Sequence, residues 1–272
     1  MSLLGHAGLG LLGFGVGAFG TLIGAGGGFL LVPILLLLFP AMSPANVSTI
    51  SLAVVLANSA AGSFSYRRLR RADYRSGAVL AAATLPGAVL GALIVNRVPR
   101  HAFDLIMASL LVAVSGLLLL QPERRLAALV GAPFTVTRSL RDSDGNLYRY
   151  RFNLGLAALL TVGVGFLSSL LGIGGGIVHV PLLTALFDFP PHVATATSHF
   201  VLAFMAGAGT ATHVIHGDFG GHVASTLALA AGVLVGAPVG AAVSRHVRSR
   251  VIMRLLALAL AVVAARLFLA AF

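Results

Sequence analysis

The chain has 272 residues, of which 58% are hydrophobic, and only 9% carry charge. Soluble domains carry roughly 25% charged residues, and a mean hydropathy of +1.01 excludes a soluble enzyme, a disordered chain and a nucleic-acid binder. The net charge of +11 comes from 18 basic residues, all Arg; 16 of them sit in or beside short loops, where topogenic arginines of a membrane protein lie, not on a polyanion-binding face. With no Cys, disulfides and thiolate chemistry are excluded.

The opening apolar block, about residues 3–39, is too long for one crossing. At 1.5 Å per residue it would reach about 54 Å, against a hydrocarbon core of about 30 Å. Four glycines between Gly24 and Gly28 cost a helix interior about 1 kcal/mol each, and Pro33 weakens the next helix, so a break is predicted there. Three ordinary spans come next, at about 46–65, 77–96 and 102–120. Residues 121–152 form the one substantial polar segment, in which TVTRSLR and LYRYRF flank DSDGN. That pattern predicts a β-hairpin with Gly145 in its turn, docked on the membrane domain or on headgroups, or else a basic topogenic linker.

After the linker the pattern starts again. GVGAFGTLIGAGGGFLLVPILLLLF (15–39) matches GVGFLSSLLGIGGGIVHVPLLTALF (163–187) at an offset of 148 residues, and NVSTIS (46–51) matches HVATAT (192–197). Gly87 and Gly91 are paired with Gly232 and Gly236, which fit close helix packing. The organisation is therefore 1–120 membrane repeat 1, 121–152 cytoplasmic linker, and 153–272 membrane repeat 2, with the second opening block breaking at Gly172–Gly176. Arginine counts set the orientation. An even number of crossings per half puts 11 and 5 loop arginines on the two sides, whereas an odd number puts 14 and 2. The second distribution satisfies the rule on basic loops. It makes the fold an all-α polytopic membrane protein of two inverted-topology repeats, about 8–10 segments, with both termini outside.

Inverted repeats with helices broken near mid-membrane are the arrangement of a transporter's substrate site. A helix restarting after bare glycines presents free N–H groups and its positive dipole end, which suits a small anion. The predicted binding residues are Gly26, Gly27, Gly28, Gly174, Gly175 and Gly176, with Ser51, Asn58, Thr197, Ser198 and His199 completing the shell through hydroxyl, amide and imidazole groups. The bland alternatives are close helix packing for the glycines and interhelical hydrogen bonds for the polar side chains. His179 and His199 are the candidates for proton coupling, His199 being aligned with Ala53. No metal site and no cofactor are implied, although nine His keep a divalent-metal carrier as an alternative. A membrane-embedded enzyme is the alternative from another class, and the seven scattered acids form no catalytic cluster for it.

The runs GVGFLSSLLGIGGGIVHVPLL, PPHVATATSHF and HGDF in half two, and GTLIGAGGGFLLVPILLLLF with NVSTISLAVVLANSAAGSFSYRRLRRADY in half one, resemble the TauE/SafE family of anion permeases over nearly all the chain outside the linker. The resemblance implies a secondary transporter exporting sulfite, an organosulfonate such as sulfoacetate, or a related oxyanion across a bacterial inner membrane. Its partners would be that anion, the lipid bilayer and, where a histidine couples transport, protons, with no nucleic acid. The family's glycine motif falls on Gly24, Gly26–Gly28, Gly172 and Gly174–Gly176; His179 departs from the pattern, an apolar residue being usual there.

Overall fold

A computed structural model describes residues 3–39, 41–120 and 133–271; linker residues 121–132, with Arg124 and Arg125, lie outside it. In half one, α1 (Leu3–Ile23) and α2 (Gly28–Leu38) are separated by the glycines. They are followed by α3 (Pro44–Arg68), α4 (Tyr74–Ile94), a 3₁₀ turn (Val95–Arg97) and α5 (Arg100–Leu120). Two strands come next, β1 (Thr135–Arg141) and β2 (Leu147–Asn153). Half two repeats the series with α6 (Leu154–Leu171), α7 (Gly176–Pro181, continued by a π turn at Leu182–Leu186), α8 (Pro191–His216), α9 (Val223–Ser244) and α10 (Ser249–Ala271).

The boundaries have local causes. Ser43, Asp73 and Asn153 cap α3, α4 and α6, each accepting a hydrogen bond from the amide three residues on, at 3.2, 3.1 and 2.9 Å. Pro44 and Pro191 open α3 and α8 where no intrahelical donor is needed. Pro181 removes a donor in α7, and the helix widens into its π turn directly afterwards.

Among the described residues six helices, α1, α3, α4, α6, α8 and α9, are long and apolar enough to cross a membrane. The chain is an all-α polytopic membrane protein. At 11 residues α2 reaches only about 16 Å, roughly half a hydrocarbon core.

The helices pair across the halves in a pattern unchanged when the halves are exchanged. Helix α1 packs on α9 as α6 packs on α4; α3 meets α9 as α8 meets α4; α3 meets α8, and α5 meets α10. Helices α3 and α8 run antiparallel, since Leu52 lies against Gly209, Leu56 against Gly207, and Gly62 against His199. Glycines set the separations: Gly87 and Gly91 of α4 lie on the Val162 and Phe166 carbonyls of α6, while Gly236 and Gly240 of α9 lie on those of Phe14 and Ala18 in α1.

These contacts correct the register read from the sequence. The equivalent of Ser51 is Ser198, not Thr197, because their contacts and the helix starts at Pro44 and Pro191 agree at an offset of 147. His199 therefore corresponds to Leu52 rather than Ala53. Gly87 and Gly91 correspond to Gly236 and Gly240, one helical turn beyond the sequence pairing, because α8 is one residue longer than α3 and the loop after it is longer by one more.

The two strands pair antiparallel, from Thr135 with Asn153 to Arg141 with Leu147. A hairpin this small is marginal in water, and the membrane domain supports it. Tyr150 packs tilted and Phe152 edge-on against Phe189, with ring centroids 4.4 and 4.7 Å away. Buried Arg71, after α3, reaches Asp142 and Asp144 at 3.4 and 3.1 Å, and Asp144 also takes Arg245 from the end of α9 at 3.0 Å. Tyr150 donates to Asp73 at 2.9 Å. The hairpin thus touches corners of both halves.

Candidate functional site

The two glycine loops meet each other. A methyl group added at Gly28 would come 2.7 Å from the Ile173 carbonyl, and one at Gly176 would come 2.5 Å from Cα of Ala25. Across the halves, Gly24 sits on Thr195 and Gly172 on Ser48, where an added methyl would approach their Cα atoms to 2.8 and 2.6 Å. Gly27 and Gly175 start the two short helices with φ of 85° and 69°, which side-chain-bearing residues rarely adopt.

Close packing therefore accounts for why these positions are glycine. The same turns leave the amides of Gly27, Gly28 and Phe29, and of Gly174, Gly175 and Ile177, with no hydrogen-bond acceptor among the described residues, and all six residues are buried. Buried amides are nearly always paired. Six unpaired donors at one place make a positively polarised centre.

The polar side chains divide into those that brace the loops and those that stand free. Ser51 donates to the Gly172 carbonyl at 2.6 Å and Ser198 to the Gly24 carbonyl at 3.3 Å. Asn58 accepts from the Thr21 hydroxyl at 3.1 Å and donates to the Gly26 carbonyl at 2.9 Å, and Tyr66 donates to the Thr21 carbonyl at 2.8 Å. The hydroxyls of Ser59, Ser168 and Thr195 are buried without a partner. Ser59 lies beside Gly26, Ser168 beside Gly175 and Thr195 beside Gly24.

His199 lies tilted against Tyr66, ring centroids 5.6 Å apart, and faces the Gly20 and Thr21 carbonyls without reaching hydrogen-bond geometry. His179 is buried in α7 with neither ring nitrogen paired, in the place that Leu31 holds in α2. Thr197 lies apart from this centre: it accepts from the Asp73 amide at 2.9 Å and ties α8 to the loop after α3. Val55 and its equivalent Leu202 fill the space between the loops. A methyl on Gly26 would meet Leu202 Cδ2 at 2.8 Å, and one on Gly174 would meet Val55 Cγ1 at 2.5 Å.

Residues 9–267 match the sulfite exporter TauE/SafE family. The chain belongs to that family. It is 31% identical over 226 residues to the probable membrane transporter protein YunE of Bacillus subtilis (strain 168), covering 81% of each chain. It is 29% identical over 210 residues to the probable membrane transporter protein MJ0441 of Methanocaldococcus jannaschii, covering 75% of this chain and 70% of that one. No solved structure matches it. As a TauE/SafE member the chain is a multi-pass membrane transporter and not an enzyme.

Within this TauE/SafE chain, sequence reasoning missed Ser168, Thr21, Val55 and Leu202 as parts of the centre. Ser168 had a signal, since it replaces Gly20 at the repeat offset; the two apolar residues had none. On the face away from the hairpin, buried His213 takes Asp218 at 2.8 Å, and Asn96 also donates to Asp218. His216 and His222 are not drawn into a cluster with them: among the described residues no three His, Cys, Asp or Glu side chains converge. Arg254 is exposed on α10.

Proposed function

We propose that this transporter moves a small sulfur-containing oxyanion (sulfite, sulfoacetate or a close relative) out of the bacterial cytoplasm across the inner membrane by alternating access. The observation that carries the reading is the pair of restarted helices whose first amides lie unpaired at one buried centre. The anion would bind to the amides of Gly27, Gly28, Gly174 and Gly175, with Ser59, Ser168 and Thr195 donating, while Gly26 and Gly176 permit the close packing at the two loops. Ser51, Asn58 and Ser198 would hold the loops in shape. His199 and His179 would couple protons, being ionisable residues at membrane depth. The antiparallel passage of α3 and α8 supports inverted repeats, and the arginine-rich corner after α3 supports a cytoplasmic hairpin with both termini outside.

Thermal unfolding of the detergent-purified protein against sulfite, sulfate, thiosulfate, taurine, sulfoacetate, acetate, nickel and zinc tests this. A ligand bound to the folded state at a hundredfold excess over its dissociation constant adds about 2.7 kcal/mol. A shift with a sulfur oxyanion is expected. Gly→Ala changes at Gly27 and Gly175 cannot localise it, because packing alone forbids them. Ser59→Ala and Ser168→Ala add no atom, so a lost anion shift with an unchanged ligand-free melting temperature would place the anion there. Stabilisation by the metals alone would overturn the reading.

A further inference from the structure

Two cavities meet at Tyr74 on the face that carries the hairpin. One, of about 480 Å³, lies between β1 and the start of α4, with Arg75, Thr137, Arg138 and Ser139 in its wall. The other, of about 320 Å³, is a groove between α3 and α8 walled by Phe64, Phe200 and Phe204. Tyr74 lines both, standing edge-on to Phe200, which stands edge-on to Phe204. Ala60, Ser63, Phe64 and Arg67 give the groove one face of α3, at helical spacing, with the guanidinium at the end nearest the hairpin. Because α3 and α8 are long and apolar enough to span a membrane, the exposed rings of Phe64 and Phe204 are placed to meet acyl chains, with the Arg68 guanidinium 5.2 Å from the Phe64 centroid.

At this corner two arginines have no acidic partner among the described residues. Of the acids on this face, Asp73, Asp142 and Asp144 are taken by Arg138, Arg71 and Arg245, and Asp188 lies between Phe187 and Phe189 against β2. Arg67 and Arg75 are exposed and form no ion pair among the described residues. Guanidinium groups bind phosphate through paired hydrogen bonds, and basic residues at a membrane surface attract anionic lipids. We propose that this corner is a binding site for an anionic phospholipid of the leaflet on the hairpin's side. The phosphate sits between Arg67 and Arg75, and one acyl chain lies in the groove against Phe64, Phe200 and Phe204. An inorganic anion would leave the groove unfilled, and a neutral lipid would leave the arginines without a counter-charge. The groove lies on the outer side of the crossing where Gly62 meets His199, so the lipid wedges α3 against α8. This inference does not depend on which substrate the transporter carries.

The test is lipid retention by native mass spectrometry, together with thermal unfolding, of the full-length protein in mild detergent. The probes are phosphatidylglycerol, phosphatidylcholine of the same chains, and glycerol 3-phosphate. Wild type is expected to retain phosphatidylglycerol and gain stability from it alone. Arg67→Gln/Arg75→Gln should weaken retention by about tenfold or more, and Phe204→Ala should weaken it as well. Arg149→Gln/Arg151→Gln removes the same charge from the outer face of β2 and should leave retention unchanged. All four arginines are exposed, so neither double variant disturbs the core. Equal loss in the two double variants, equal retention of phosphatidylcholine, or equal stabilisation by glycerol 3-phosphate would overturn the proposal.

Discussion

The hydroxyl of Ser51, on α3 of the first half, donates to the carbonyl of Gly172 in the second half at 2.6 Å. Ser198 on α8 returns the same bond to the Gly24 carbonyl of the first half at 3.3 Å. Each half thus holds the other's glycine loop. Carbonyls released where a helix breaks are costly at membrane depth unless protein pairs them, and these two hydroxyls pair them reciprocally.

Replacing Ser51 by Ala leaves the Gly172 carbonyl buried and unpaired, at a cost of about 1–2 kcal/mol. In a chain of this size that lowers the melting temperature by several degrees. Ser198→Ala should cost less, because its bond is longer. Thermal unfolding of the two variants in the same detergent checks the order; a larger loss for Ser198→Ala would contradict it.

The glycines of the repeat divide into those that touch a neighbour and those that do not. Gly15 and Gly163 recur at the same offset as the loop glycines, yet a methyl at either meets nothing within 4 Å. Gly15→Ala and Gly163→Ala should fold normally and gain up to about 1 kcal/mol from helix propensity. Gly28→Ala and Gly176→Ala, pressed against opposite-half backbone, should lose most of the folded protein. Size-exclusion profiles of the four variants separate the two groups.

Much of this arrangement is legible in the sequence. The length of the first apolar block and the glycines within it place the break between α1 and α2 correctly, because a span limit and a propensity cost act locally. Equivalence within α3 and α8 is not legible. NVSTIS shares Val and Thr with HVATAT (192–197) but only its last Ser with VATATS (193–198), so residue similarity favours the register that the contacts overturn. One residue of slip turns a helix face by about 100°, enough to exchange Ser198, which braces a loop, for Thr197, which caps the contact with Asp73. Val55 and Leu202 are invisible for another reason: nothing distinguishes a leucine between two glycine loops from the many leucines that face lipid.

The hairpin offers a pH test outside the membrane. Burial pushes the Asp142 carboxyl upward, but hydrogen bonds from Asn146 and the Asp144 amide, and the Arg71 charge, outweigh it and hold the group below its ordinary 3.8. A carboxyl lowered by folding stabilises at pH values above its unfolded value, and that contribution is lost as pH falls through the folded value. The hairpin should therefore stay docked at neutral and mildly acidic pH and loosen only below about pH 4. Asp142→Asn should loosen it at neutral pH too, since it removes the buried negative charge facing Arg71 and leaves only the partly exposed Asp144 to balance that guanidinium. Protease cleavage within 142–146, measured against pH in both proteins, reads this out. Equal cleavage of the two at pH 7 would show that Asp142 does not hold the hairpin.

Val55 and Leu202 occupy the space directly over Gly26 and Gly174, among a small apolar cluster with Leu52, Met205 and Ala206. If the anion passes between the glycine loops, these two side chains must move. Leu202→Ala should cost about 2–4 kcal/mol of stability, as large-to-small changes in packed cores do. Its effect on transport should run the other way, because a smaller plug lowers the barrier between the loops. Flux of the proposed oxyanion into proteoliposomes, divided by the amount of folded protein, should rise in Val55→Ala and Leu202→Ala and fall in Val55→Phe. A flux per folded molecule that drops in both alanine variants would mean that the two residues support the site without closing the path.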